Sequence, residues 1–176
     1  MKASPNTAVI YAYCRRDDKR DAEGILRDLI HQLLTQHPDR LPLVDKYYKK
    51  HRFDGTGPTF EEVLEMLHSL VTSFERTHII VDGLDEIVND KERVTLLQEL
   101  HKLPAPILVF SQPLELHSKY LPTATIISVE ARDQDIENFV ISRLLTHPSL
   151  RETLTAAGDV VRRGLAIKIR ERCGGV

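Results

Sequence analysis

One run of residues, His78-Ile79-Ile80-Val81-Asp82-Gly83-Leu84-Asp85-Glu86, constrains the fold more than any other part of the chain. An apolar β-branched stretch ends on an acid, and a glycine and two further acids follow within four positions. Ile79 to Val81 does not alternate with polar residues, so it reads as a strand of a parallel sheet buried on both faces. In such sheets ligands collect in the crevice beyond the strands' carboxyl ends. Asp82 then stands at that rim. A carboxylate there is suited to hold Mg²⁺, directly or through water, beside a phosphate, and a second acid nearby can orient an attacking water. A plainer reading stays open on the pattern alone. Acids are favoured near helix amino termini, so the cluster can also be a solvated turn that feeds a helix.

The flanking sequence alternates between the two periods that an α/β chain requires. Ala8 to Tyr13 is a β-branched and aromatic run that reads as a buried strand, with Tyr11 and Tyr13 in the core. From Ala22 to His37 the residues Ile25, Leu26, Leu29, Ile30, Leu33 and Leu34 recur at helical spacing until Pro38 stops them. Leu41 to Lys50 predicts a shorter helix. Thr59 and Glu62 have the spacing of a capping box ahead of a helix from Phe60 to Phe74, which leads into the Ile79 strand. A helix from Lys91 to His101 precedes a third strand, Ile107 to Phe110, whose end carries Ser111, Gln112 and Pro113, with Phe110 again in the core. A loop with a short helix leads to a fourth strand over Thr125 to Val129. The remainder turns helical, with Asp133 placed to cap a helix ending near Pro148 and a last helix from about Asp159 to Cys173.

Several functions lose support on inspection. The chain of 176 residues, 41% hydrophobic and 28% charged, suits one domain with a substantial core. A formal net charge of -2 offers no electrostatic case for nucleic acid, so no nucleic-acid partner is expected. Two distant cysteines, Cys14 and Cys173, suggest neither a disulfide framework nor a zinc site and point to the reducing cytoplasm. Met1 to Thr7 lacks the apolar core of a signal peptide, and no segment has the length of a membrane span, so no membrane association is expected. The histidines carry no H-E-x-x-H or comparable ligand spacing. No G-x-S-x-G elbow marks a serine nucleophile.

A phosphate-binding loop is also missing. It reads G-x-x-x-x-G-K-[ST], because glycine amides wrap the phosphates while the lysine reaches the terminal ones. No glycine in the chain is followed by lysine. The nearest imitation, Asp54-Gly55-Thr56-Gly57-Pro58-Thr59, lacks the lysine, follows no strand and contains a proline without an amide donor, so it reads as a loop ahead of a helix.

With these residues in place the sequence resembles a NACHT domain, a signal-transducing STAND-class P-loop NTPase module, and is similar to the nephrocystin-like NACHT modules abundant in fungi. The resemblance runs through the strand ending at Tyr13-Cys14, the helix Ile25 to Leu34, the segment Ile80 to Glu86, the turn Phe110-Ser111-Gln112-Pro113, and Val129 to Ile136. It implies a P-loop NTPase-like parallel sheet flanked by helices, with the first strand and P-loop missing and a helical carboxyl-terminal part. The implied division is a single partial domain, with an α/β core over residues 1–130 and a helical segment over 131–176. It also implies that the Ile79 strand lies between the Val9 and Ile107 strands, and that the absent strand belongs between the Ile107 and Ile126 strands.

By resemblance Asp82 matches the Mg²⁺-coordinating Walker B aspartate, and Asp85 and Glu86 match the acids that position the hydrolytic water. Ser111 and Gln112 fall at the nucleotide-sensing position after the next strand. Gln112 stands where the family usually carries arginine, which removes a cation for the terminal phosphate. ATP and Mg²⁺ are the implied cofactors, with little binding or hydrolysis by this chain alone. The implied partners are further copies of this chain or intact NACHT proteins. The leading expectation is an incomplete nucleotide-binding switch module. The alternatives are a regulatory fragment that acts on intact NACHT proteins and a Mg²⁺-dependent α/β enzyme using the same acids. Open strand edges make the isolated polypeptide prone to aggregate.

Overall fold

Three strands form where the β-branched runs predict them: β1 (Thr7–Tyr13), β2 (Arg76–Asp82) and β3 (Ile107–Phe110). The computed structural model describes residues 6–17, 20–53, 55–113, 119–129 and 132–173. The strands are parallel in the order β1-β2-β3, so the Asp82 strand is the central one. Their register places Tyr13, Asp82 and Phe110 side by side, which brings the three carboxyl ends to one rim.

The helices that connect the strands are α1 (Ala22–Gln36), α2 (Asp45–Arg52), α3 (Phe60–Thr72) and α4 (Asp90–His101). Each of the three longer ones begins on a side chain that accepts an orphan backbone N–H. Asp21 accepts from Gly24 at 2.8 Å, Asn89 accepts from Lys91 at 3.0 Å, and Thr59 accepts from Glu62 at 3.4 Å. Glu62 reaches back to the Thr59 N–H at 2.8 Å, which completes the capping box. The apolar stripes of α1 (Leu26, Leu29, Leu33), α3 (Val63, Leu67, Leu70) and α4 (Leu96, Leu97, Leu100) meet Ala8, Ile10, Ala12, Ile79 and Val81 in one buried cluster.

That cluster lies on one side of the sheet only. The expectation of strands buried on both faces is therefore corrected. Along β1 and β2 buried and accessible residues alternate, and the outer face carries Tyr11, Tyr13 and Phe110 at 45%, 60% and 49% exposure. These three aromatics are not core. The reason is that α1, α3 and α4 all place their stripes against the same face, and a β-strand directs successive side chains to opposite sides.

The chain divides into two compact units, Met1–Ala124 and Thr125–Val176. In the second, the predicted fourth strand does not form. Thr125 to Val129 has no regular structure, with Ile126 74%, Ile127 75% and Val129 84% exposed. A β-branched run becomes a strand only when a neighbour satisfies its amides and carbonyls, and the neighbour that the resemblance assigns to it is not among these residues. Three helices follow, α5 (Asp133–Thr146), α6 (Pro148–Ala156) and α7 (Gly158–Cys173), and they pack on one another. Asp133 is the first helical residue and not the cap. Arg132 holds the cap position without a side-chain bond, and Asp133 stands in the first turn, where a negative charge favours the helix end. The short helix predicted after Pro113 falls partly on residues 114–118, outside the described residues.

Candidate functional site

Asp82 is the last residue of the central strand, exposed, on the outer face of the sheet beside Tyr13 and Phe110. Its backbone carbonyl accepts from the Cys14 N–H at 2.8 Å, and the next residue, Gly83, donates to the Phe110 carbonyl at 3.0 Å. The rim is thereby laced across all three strands. Gly83 turns the chain sharply with a φ of 73°, and a Cβ there would lie 2.7 Å from the Cys14 carbonyl oxygen. Only glycine accommodates both the left-handed backbone and that approach.

The turn sends Leu84–Glu86 into a short 3-10 helix that buries Leu84 and leaves two carboxylates at the surface of the rim. Asp85 Oδ1 accepts the backbone N–H of Gln112 at 3.1 Å, and Glu86 Oε2 accepts that of Arg16 at 3.0 Å. One acid thus holds the loop after β3 and the other the loop after β1. This role was not legible in the sequence, because a backbone amide as partner leaves no residue-type signal. Ser111 Oγ donates to the Gln112 carbonyl at 2.7 Å and makes no bond to the acids. The structure therefore brings Asp82, Asp85, Glu86 and the Ser111-Gln112 turn to one rim without joining them into one ligand set. Among the described residues no three His, Cys, Asp or Glu side chains gather as a metal site. Mg²⁺ beside a phosphate takes one or two protein carboxylates and completes its shell with water, and Asp82 is an exposed carboxylate at this rim.

A cleft of about 260 Å³ opens nearby, lined by Cys14, Arg20, Asp21, Ile87, Asn89 and Glu92 among others. Asp82, Asp85 and Glu86 are not on its wall. Its polar groups serve the fold: Glu92 accepts from the Ala22 N–H at 2.8 Å, and Arg20 pairs with Asp28.

The glycine-rich loop before α3 is occupied structurally as well. Glu62 is buried and takes Lys50 Nζ at 2.6 Å and His51 Nε2 at 2.7 Å, while His51 Nδ1 meets Thr56 Oγ1 at 2.6 Å. Arg27 Nη2 donates to the Pro58 carbonyl at 2.5 Å. The Lys50 ammonium, with the Thr59 amide, lowers the Glu62 carboxyl to about 2. The loop fastens α2 and α1 to the start of α3.

The family model for the nephrocystin 3 N-terminal region matches residues 1–112, well over half the chain. The chain belongs to that family. No curated protein matches the sequence. Among solved structures, the Orc1 protein of Aeropyrum pernix in complex with DNA is similar at 18% identity and a TM-score of 0.35, over 96% of this chain and 55% of that one. This chain therefore spans little more than half the length of that protein.

The partner expectation is corrected by this finding. A protein similar to this chain stands in complex with DNA, so a net charge of -2 is no ground for excluding nucleic acid. What Orc1 binds is a property of Orc1, and a likeness of this degree assigns no ligand here. Among the described residues no helix is long and apolar enough to cross a membrane.

Proposed function

We propose that this chain carries the metal side of an ATP-binding switch module and depends on a phosphate-binding loop outside these 176 residues for nucleotide affinity. The observation that carries the reading is the placement of Asp82. It ends the central strand of a parallel sheet, is exposed, and has no side-chain partner among the described residues, whereas its neighbours Asp85 and Glu86 are engaged by amides. Asp82 is then the Mg²⁺ ligand, and the Ser111-Gln112 turn borders the nucleotide's terminal phosphate. The magnesium would screen phosphate charge at that rim. For Asp85 or Glu86 to orient a water, its bond to the Gln112 or Arg16 amide must first open. The chain alone is an inefficient hydrolase on this reading.

Magnitudes support the dependence on a missing loop. A charge-assisted hydrogen bond contributes about 1.5 to 3 kcal/mol, so the lack of a lysine and several loop amides removes roughly 6 kcal/mol. At about 1.4 kcal/mol per decade a micromolar site becomes one of roughly tens of millimolar. Titration of a fluorescent ATP analogue with Mg²⁺ is expected to show no saturation in the micromolar range. Saturable low-micromolar binding that is abolished in Asp82→Asn overturns the proposal. In a longer chain that includes a phosphate-binding loop, the same substitution is expected to weaken Mg²⁺-ATP binding by about tenfold or more.

A further inference from the structure

The two edges of the sheet are finished differently. In a parallel ladder, alternate residues of an edge strand turn both backbone groups away from the neighbour. Cys14 donates to Asp82 across the β1–β2 pair, so Val9, Tyr11 and Tyr13 are the residues of β1 that face outward. The Tyr11 N–H donates to Gln32 Oε1 at 3.1 Å, and Gln32 Nε2 donates back to the Tyr11 carbonyl at 2.7 Å. A primary carboxamide offers one acceptor and one donor side by side, the same pair that a residue of an adjoining strand would present. Two residues on, the Tyr13 carbonyl accepts from Arg20 Nη2 at 3.0 Å, and Arg20 is held in turn by Asp28 of α1.

At the opposite edge, Pro106 and Phe110 bond to β2, which leaves Ile107 and Val109 facing outward. Neither has a comparable side-chain partner among the described residues. Among the described residues, side chains cover the β1 edge at Tyr11 and Tyr13, and none covers the β3 edge at Ile107 and Val109.

We propose that Gln32, assisted by Arg20, is an edge lock: its side chain occupies the ladder positions of Tyr11 and makes β1 the terminal strand, so that the sheet can be extended only from β3. Exposed parallel edges template pairing with other chains, and a side chain that imitates a strand removes the template without adding one. The outer face makes the device consequential, because Val9, Tyr11 and Tyr13 would give an incoming strand apolar surface beside the ladder.

Residue-resolved hydrogen exchange on the whole chain tests this. In Gln32→Ala the Tyr11 amide is expected to exchange about five- to tenfold faster, the worth of one hydrogen bond, while the Ile10 and Ala12 amides, which face β2, keep their rates. Gln32→Glu keeps the shape of the side chain but sets an acceptor-only carboxylate against the Tyr11 carbonyl, so the Tyr11 amide is expected to lose protection there as well; this variant decides the matter if Gln32→Ala fails to fold. The pair Gln32→Ala with Arg20→Ala is expected to sediment as larger species than the parent at equal concentration. Unchanged Tyr11 exchange in Gln32→Ala or in Gln32→Glu, or equal association of the double variant and the parent, overturns the proposal.

Discussion

Replacing Gly83 with alanine separates the two demands that the rim makes on that residue. The backbone there has a φ of 73°, and a left-handed conformation costs an L-residue about 1 to 2 kcal/mol. The new Cβ would also lie 2.7 Å from the Cys14 carbonyl oxygen, a backbone atom with little room to yield. Cys14 is itself fixed by its N–H bond to Asp82 at 2.8 Å. Relieving the contact therefore means loosening that bond or the bond from Gly83 to Phe110, each about 1 kcal/mol. The sum is about 2 to 4 kcal/mol, or roughly 10 °C in Tm for a unit of this size. Gly55→Ala is the control, because Gly55 has a φ of 67° and no atom within 4 Å of its added Cβ. It should lose only the conformational part, about 1 to 2 kcal/mol. Gly83→Asn distinguishes the causes, since asparagine tolerates the left-handed region yet still carries a Cβ. Urea unfolding followed by circular dichroism at 222 nm gives the three values. Equal losses for Gly83→Ala and Gly55→Ala, or full tolerance of Gly83→Asn, refute the reasoning.

Two further outcomes follow from the packing. The folded-state pKa of Glu62 is lowered from 4.5 to about 2, so its contribution to stability is present above pH 4.5 and is lost as pH falls toward 2. Urea midpoints measured across that window should fall less steeply in Glu62→Gln than in the parent. Leu29 on α1 is fully buried in the central cluster, and Leu29→Ala is expected to cost about 2 to 5 kcal/mol in the same urea assay.

The elements were legible where local chemistry decides them. The apolar spacing of Ile25 to Leu34 and the Thr59–Glu62 pair mark helices by rules that act within a turn or two, and both appear as read. The strand order with β2 in the centre followed from the resemblance, and the strands themselves from the short β-branched runs. Local pattern misled where the environment decides. Tyr11, Tyr13 and Phe110 have the composition of core, yet the faces they occupy are uncovered, and Thr125 to Val129 has the composition of a strand without a partner to pair with. At the rim, the sequence marked Asp82, Asp85 and Glu86 as a group, whereas the fold gives each a different neighbour.

By itself the sequence determined the long helices and the strands β1 to β3, and that acids cluster after Val81, because those features depend on side-chain periodicity and on residues adjacent in the chain. Tertiary structure alone decided which face of the sheet is covered, which edge has side chains against it, and that the Asp85 and Glu86 carboxylates bind backbone amides while the Asp82 carboxylate does not. Each of these depends on a donor or a surface brought from a distant part of the chain, such as Gln32 at Tyr11 or Arg16 at Glu86, and no local pattern carries that information.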